Sequence, residues 1–197
     1  AGLDLSPAVL PAPAVWRYRN KMEFSFGAVY PPEENGPWLR LGFKARKRWN
    51  KVIDVGSCLL CSEECAAILA GVREWALAER LDPYNGVKKG GFLRYLVLRE
   101  ARNTAERMVL LVTTAGILPK ESFLKALATG EVSTALWGVN ARVADTAECD
   151  SREVLSGEGF LTEILNLPGL SLRFRISPQS FFQTNTLAAE LLYGRVR

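Results

Sequence analysis

Lys21-Met22-Glu23-Phe24-Ser25-Phe26-Gly27 and, past a turn, Leu39-Arg40-Leu41-Gly42-Phe43-Lys44 decide how this chain folds. In the first run Met22, Phe24 and Phe26 alternate with Glu23 and Ser25. In the second, Leu39, Leu41 and Phe43 alternate with Arg40, Gly42 and Lys44. A period of two sends successive side chains to opposite sides of an extended backbone, so each run reads as a half-buried strand. Between them, Pro31-Pro32-Glu33-Glu34-Asn35-Gly36-Pro37 is a turn by composition. Residues 21–48 are therefore expected to form a hairpin, with a short third strand over 51–55.

Downstream the period changes. Cys65, Ile68, Leu69, Val72, Trp75 and Leu81 recur at helical spacing, and Ser62 followed by Glu63 and Glu64 suits a helix N-terminus. A helix over 62–80 follows, ended by Asp82-Pro83-Tyr84-Asn85-Gly86. Strands are expected over 93–101 and 107–114, then a helix over 120–128 and a strand over 136–140. Residues 141–152 read as a polar loop, and strands at 162–165 and 172–176 flank Asn166-Leu167-Pro168-Gly169. This order, β-β-β-α-β-β-α-β-β-β, is dominated by hairpins. It predicts an α+β fold, a mainly antiparallel sheet with two helices packed on it. Residues 1–16, rich in Ala and Pro, read as an extended linker.

The C-terminal stretch, Arg175-Ile176-Ser177-Pro178-Gln179-Ser180-Phe181-Phe182-Gln183-Thr184-Asn185-Thr186, is a strand that stops at Ser-Pro and presents two aromatics, a Gln and an Asn before a new helix. That density of polar and aromatic groups suits the edge of a ligand site. A plainer reading has Asn185 or Thr186 capping the helix and Phe181 and Phe182 joining the core.

Hydrophobic residues make up 48% of the 197 and charged residues 23%, ordinary for a globular chain. No apolar run reaches the ~20 residues that span a bilayer, and the N-terminus lacks the pattern of a signal peptide. The chain has no histidine, which removes His ligands, His bases and Ser-His or Cys-His pairs from consideration. No G-x-G-x-x-G follows a strand, and there is no P-loop.

Net charge is +4, unevenly placed. Arg17, Arg19 and Lys21 precede the first strand, while Lys44, Arg46, Lys47, Arg48 and Lys51 crowd the next arm of the hairpin. On adjacent strands these would merge into one patch, with Trp16 and Trp49 available to stack on unpaired bases. The alternative is a solvated hairpin face. Cys58, Cys61 and Cys65 form C-x2-C-x3-C, but a closed site needs four ligands and only Cys149 remains. Cys65 is expected to face the core as a small hydrophobe.

Several segments together resemble the RNA (uracil-5-)-methyltransferases, particularly the branch acting on 23S ribosomal RNA. The resemblance is carried by Tyr18-Arg19-Asn20-Lys21, Met22 to Gly27, Gly42-Phe43, Val55-Gly56-Ser57-Cys58, Gly91-Phe92-Leu93-Arg94, Leu96-Val97-Leu98-Arg99 and Val109 to Val112. Most specific is Phe174-Arg175-Ile176-Ser177-Pro178 leading through Ser180-Phe181-Phe182-Gln183-Thr184-Asn185 to Ala189-Glu190-Leu191. The resemblance implies a central α+β domain over 17–176. It makes 177–197 the first segment of a Rossmann-like methyltransferase domain, whose remainder lies outside the chain. Gln183 would contact S-adenosylmethionine and Phe181 would lie close to the target base. Cys58 matches the fourth ligand of a family iron–sulfur cluster whose other three cysteines lie upstream, so a [4Fe-4S] group is possible in the full-length protein and none is expected in this chain.

The expectation is thus a piece of an S-adenosylmethionine-dependent enzyme that makes 5-methyluridine in 23S ribosomal RNA. It would be cytoplasmic, monomeric and free of membrane. Arg17, Arg19, Lys21, Lys44, Arg46, Lys47, Arg48, Trp49 and Phe181 would support RNA. The catalytic Cys and the general base would lie outside the chain, leaving it inert alone. The rival readings are a free-standing RNA-binding module and a Cys-based metal-binding protein.

Overall fold

A computed structural model describes residues 9–29 and 37–196, the side chain of Trp49 excepted. The expected hairpin is present. β1 (Lys21–Ala28) pairs antiparallel with β2 (Leu39–Ala45), Ser25 opposite Gly42, and β2 pairs with β3 (Arg48–Asp54). The turn expected over 31–37 lies outside the described residues except for Pro37. β1 begins at Lys21 because the chain before it is irregular, with Arg17 at φ 53°.

The helix α1 (Glu63–Ala78) starts where the sequence places it. Ser62 is its N-cap, accepting from the Cys65 backbone N–H at 3.1 Å, and Glu63 and Glu64 sit on the positive end of the helix dipole. β4 (Leu93–Glu100) and β5 (Arg107–Thr113) form a second antiparallel pair. Helix α2 (Lys120–Ala126) then carries the chain over to β6 (Thr134–Val139), which lies parallel to β5. A parallel neighbour needs such a crossover, so one parallel pair enters a sheet that is otherwise antiparallel.

The main sheet has seven strands in the order β3-β2-β1-β4-β5-β6-β7. β7 (Ser151–Ser156) begins inside the segment read as a polar loop over 141–152. It is an edge strand whose residues are nearly all exposed, so it has no apolar alternation for a periodicity argument to detect. β8 (Leu161–Leu167) and β9 (Leu170–Ile176) form a separate hairpin, and α3 (Thr186–Val196) follows.

Two apolar layers hold these parts together. On one face Phe24, Leu41, Leu96, Leu98 and Leu111 pack against Ile68, Leu69 and Val72 of α1 and Phe123 of α2. The Trp75 and Phe123 rings lie 4.9 Å apart, and Trp75 Nε1 donates to Ser122 Oγ at 3.0 Å, fastening the two helices. On the other face Tyr95, Val97, Leu110, Val112 and Leu136 are covered by Leu161 and Ile176, cross-strand partners in the small hairpin. β4 and β5 are therefore buried on both sides, which explains their unbroken apolar runs. Each fully buried Leu or Phe contributes about 1.5–3 kcal/mol, and the central strands supply most of them.

Candidate cofactor and RNA site at the junction of sheet and helix

The loop over 177–185 joins β9 to α3. Ser180 N–H and Oγ both donate to the Ser177 carbonyl, at 3.3 and 3.0 Å, closing a tight turn directly after the strand. Asn185 ends the loop as the N-cap of α3, its Oδ1 accepting from Ala188 N–H at 3.1 Å. Of the two readings open for Asn185, capping is the one observed.

Asn20 pins this loop to the sheet. It is buried, donates through Nδ2 to the Gln183 carbonyl at 2.7 Å and to Thr186 Oγ1 at 3.0 Å, and donates its N–H to the Thr184 carbonyl at 2.9 Å. Thr186 in turn donates to Glu163 Oε2 at 3.1 Å. Glu163 is fully buried and also accepts from the backbone N–H groups of Arg102 at 2.6 Å, Asn103 at 3.0 Å and Ile164 at 3.0 Å. Four donors converge on one carboxylate next to the positive end of α3, which is how a buried carboxylate is tolerated with no cation paired to it among the described residues.

Gln183 is thereby fixed through its backbone, while its half-buried side-chain amide takes no partner among the described residues. An anchored backbone carrying an uncommitted amide fits a residue that hydrogen-bonds a polar cofactor. Phe182 turns inward against Phe174, rings 5.6 Å apart near edge-on. Phe181 turns outward and is 85% exposed, so only one of the two aromatics takes the core role. Phe181 lines a cavity of about 620 Å³ together with Arg19, Lys21, Glu23 and Arg99; Gln183 does not line it. The base-side and cofactor-side candidates thus leave the same loop for different surroundings.

The basic residues do not form one patch. Arg19 and Lys21 line the cavity beside Phe181, with Lys21 ion-paired to Glu23 at 2.5 Å, and Arg17 pairs with Glu63 at 2.9 Å. Arg48 and Lys51 line a different recess of about 890 Å³ on the open half of the sheet. Arg46, Lys47 and Arg48 are exposed at the tight β2–β3 turn, with Lys47 at φ 61°. Lys44 is an internal tie: its ammonium bonds Asp145 and donates to Tyr95 Oη at 2.8 Å. Lys44 is therefore half-buried and engaged by Asp145 and Tyr95, and it lines the same recess as Arg48 and Lys51. Trp49 lies in β3, but its side chain is outside the described residues; Trp16 is exposed.

Cys61 and Cys65 are buried in the helix-side layer, and Cys61 Sγ donates to the Cys58 carbonyl at 3.6 Å. The neighbouring Cys61 thiol, with burial, pushes the Cys65 thiol far up. Among the described residues no group of three or more His, Cys, Asp or Glu is placed to hold a metal. Only the half-buried Cys58 of this trio could serve as a single ligand of a group completed elsewhere, so a cluster built on all three does not fit. Cys149 is half-buried and its thiol is pushed up to about 11 by burial.

Asn20 and Glu163 carry much of this junction and Arg99 lines the cavity beside it, and composition gave none of the three a role. Asn20 and Arg99 stand within the quoted motifs, which was the one available signal; Glu163 looks like an ordinary outward residue of a strand.

No protein-family model matches the chain. An uncharacterised RNA methyltransferase of Clostridium tetani is 34% identical over 201 residues, spanning 100% of this chain and 42% of that protein. A tRNA (uracil(54)-C(5))-methyltransferase of Pyrococcus horikoshii is 32% identical over 195 residues, 99% of this chain and 43% of the relative. The crystal structure of Pyrococcus abyssi tRNA (uracil-54, C5)-methyltransferase in complex with S-adenosyl-L-homocysteine superposes with a TM-score of 0.73 at 27% identity, covering 95% of this chain and 42% of that one. The chain thus spans about two fifths of the length of the curated relatives it matches. With sequence likeness along nearly all of it and the same fold as a solved member, the chain belongs to the RNA (uracil-5-)-methyltransferase family.

Proposed function

We propose that this chain is the RNA-supporting segment of an enzyme that methylates C5 of a uridine, with 23S ribosomal RNA as substrate. The observation that carries the reading is the pinned loop, which holds an exposed Phe181 over a cationic cavity and an uncommitted Gln183 amide. S-adenosylmethionine, when bound, supplies the electrophilic methyl group. Gln183 orients that cofactor through its amide. Phe181 offers a ring on which a splayed base rests, as a uridine must leave its stack before C5 can be reached. A second substrate reading, transfer RNA, is favoured by the names of the Pyrococcus relatives.

The addition chemistry is assigned to residues outside this chain. Such an enzyme adds a thiolate to C6 of uracil and later removes the C5 proton with a base. Cys61 and Cys65 are buried in the core, and a Cys149 thiol near 11 is almost wholly protonated at neutral pH. Cys58 is kept for the cluster-ligand role, so on this reading the chain alone is inert. An iron–sulfur group in the intact protein would take Cys58 as one ligand and need three more from elsewhere. We propose a cytoplasmic monomer. Separately, no described helix is long and apolar enough to cross a membrane.

The test is binding and turnover with matched ribosomal and transfer RNA hairpins. The chain should bind RNA with affinity that falls steeply as salt rises, and should transfer no methyl group. A salt-independent affinity would remove the electrostatic support for this reading, and methyl transfer by the chain alone would overturn the inert assignment.

A further inference from the structure

Arg99 is a buried cation with most of its hydrogen-bonding capacity unused. It lies on β4 as the register partner of Lys21 on β1 and is 4% exposed. A guanidinium presents five N–H donors in a rigid fork. Among the described residues Arg99 makes one side-chain hydrogen bond, Nη2 to the Ser180 carbonyl, and forms no ion pair. Its Nε is buried without a partner. Arg94, on the same strand, also has a buried, unpartnered Nε, but its other nitrogens tie down the carbonyls of Asn140, Arg142 and Ala144, and it stacks on Tyr84 at 4.4 Å. Arg94 is a strut for the loop over 140–144. Arg99 has no comparable structural work.

What Arg99 does have is a cavity. It lines the space of about 620 Å³ beside Phe181, where Arg19 and Lys21 add positive charge and Glu23, held by Lys21, is the acid among the lining residues. Burial pushes the Arg99 pKa down, with Glu23 the only opposing influence. An unpaired buried guanidinium beside open space is stabilised by an anion that brings two acceptors.

We propose that Arg99 binds a phosphodiester of the RNA strand adjoining the nucleotide that rests on Phe181, its fork taking two phosphate oxygens inside the cavity. This inference rests on the RNA reading above and names how the strand is held. A buried cation on β4 and an exposed ring on the loop beside it select an unpaired nucleotide, because a base held in a duplex cannot stack on Phe181 while its phosphate enters the cavity.

The experiment follows the Arg99 Nε–H resonance of the full chain labelled with ¹⁵N-arginine, assigned by its loss in Arg99→Lys. Titrants are oligouridylate, inorganic phosphate and an oligouridylate with an uncharged methylphosphonate backbone. Oligouridylate and phosphate should move the resonance and the uncharged oligomer should not. Arg99→Lys, which keeps the charge but not the fork, should weaken oligouridylate about tenfold. The wild-type titration decides the matter even where that variant folds poorly. Oligouridylate that perturbs the Phe181 ring but leaves the Arg99 Nε–H unmoved overturns the inference while sparing the RNA reading. Phosphate moving the resonance while oligouridylate binds nowhere removes RNA as the ligand and sinks the reading beneath it.

Discussion

Glu163→Gln tests whether the buried carboxylate is what locks the Gln183 loop to the sheet. Glu163 Oε1 accepts from the N–H groups of Asn103 and Ile164; Oε2 accepts from Arg102 N–H and the Thr186 hydroxyl. Glutamine keeps one oxygen, and with it two of these bonds. Its NH2 then faces the Thr186 hydroxyl, which can turn to accept, and the Arg102 N–H, which cannot. One backbone donor is left buried against another donor, and the remaining bonds lose the charge on their acceptor. An orphaned buried donor costs about 1–3 kcal/mol and a charge-assisted bond is worth about 1.5–3, so the expected loss is roughly 2–4 kcal/mol. For a chain of this size that lowers Tm by roughly 5–15 °C. Thermal unfolding of Glu163→Gln, Thr186→Val and the double variant provides the measurement. The double variant should lose less than the sum, because both changes break the same Thr186–Glu163 contact. A Glu163→Gln variant within about 0.5 kcal/mol of wild type, or strict additivity, would show that the four-donor arrangement does not hold the loop.

Phe181→Ala should weaken binding of unpaired RNA by about fivefold or more, the loss of one stacked base, and leave Tm unchanged because the ring is exposed; unchanged affinity in a filter-binding assay would refute its role. Gly42→Ala should destabilise the chain by about 1–3 kcal/mol in urea titration, since an added Cβ would stand 2.0 Å from the Ile53 carbonyl and 2.9 Å from the Val55 nitrogen, both backbone atoms. Burial pushes the Asp145 carboxyl up, but hydrogen bonds from Lys44 and Tyr95 outweigh it and hold the group below its usual range. Its contribution to stability is therefore present above the unfolded value of about 3.9 and is lost as pH falls through the lower folded value. The stability gap between wild type and Asp145→Asn should be wider at pH 6 than at pH 3, and a constant gap would refute the linkage.

Much of the fold was legible because its signals are local. The alternation Met22-Phe24-Phe26, the cap at Ser62 and the turn chemistry at 82–86 depend on near neighbours in sequence, and those elements lie where they were expected. β7 was missed because an exposed edge strand needs no apolar pattern. The ties of Lys44 were illegible for a different reason. A lysine in a charge run looks solvated until a residue a hundred positions away, Asp145, arrives beside it.

Sequence by itself determined the class of fold, the membership of Gln183 and Phe181 in one loop, and the absence of any histidine-based chemistry. Tertiary structure decided which aromatic faces out, which basic residues share a cavity, and which buried arginine keeps most of its donors unpartnered among the described residues. Periodicity is written by adjacent residues. The pairing of a buried charge is settled only when strands distant in sequence are brought into register, as Lys21 and Arg99 are.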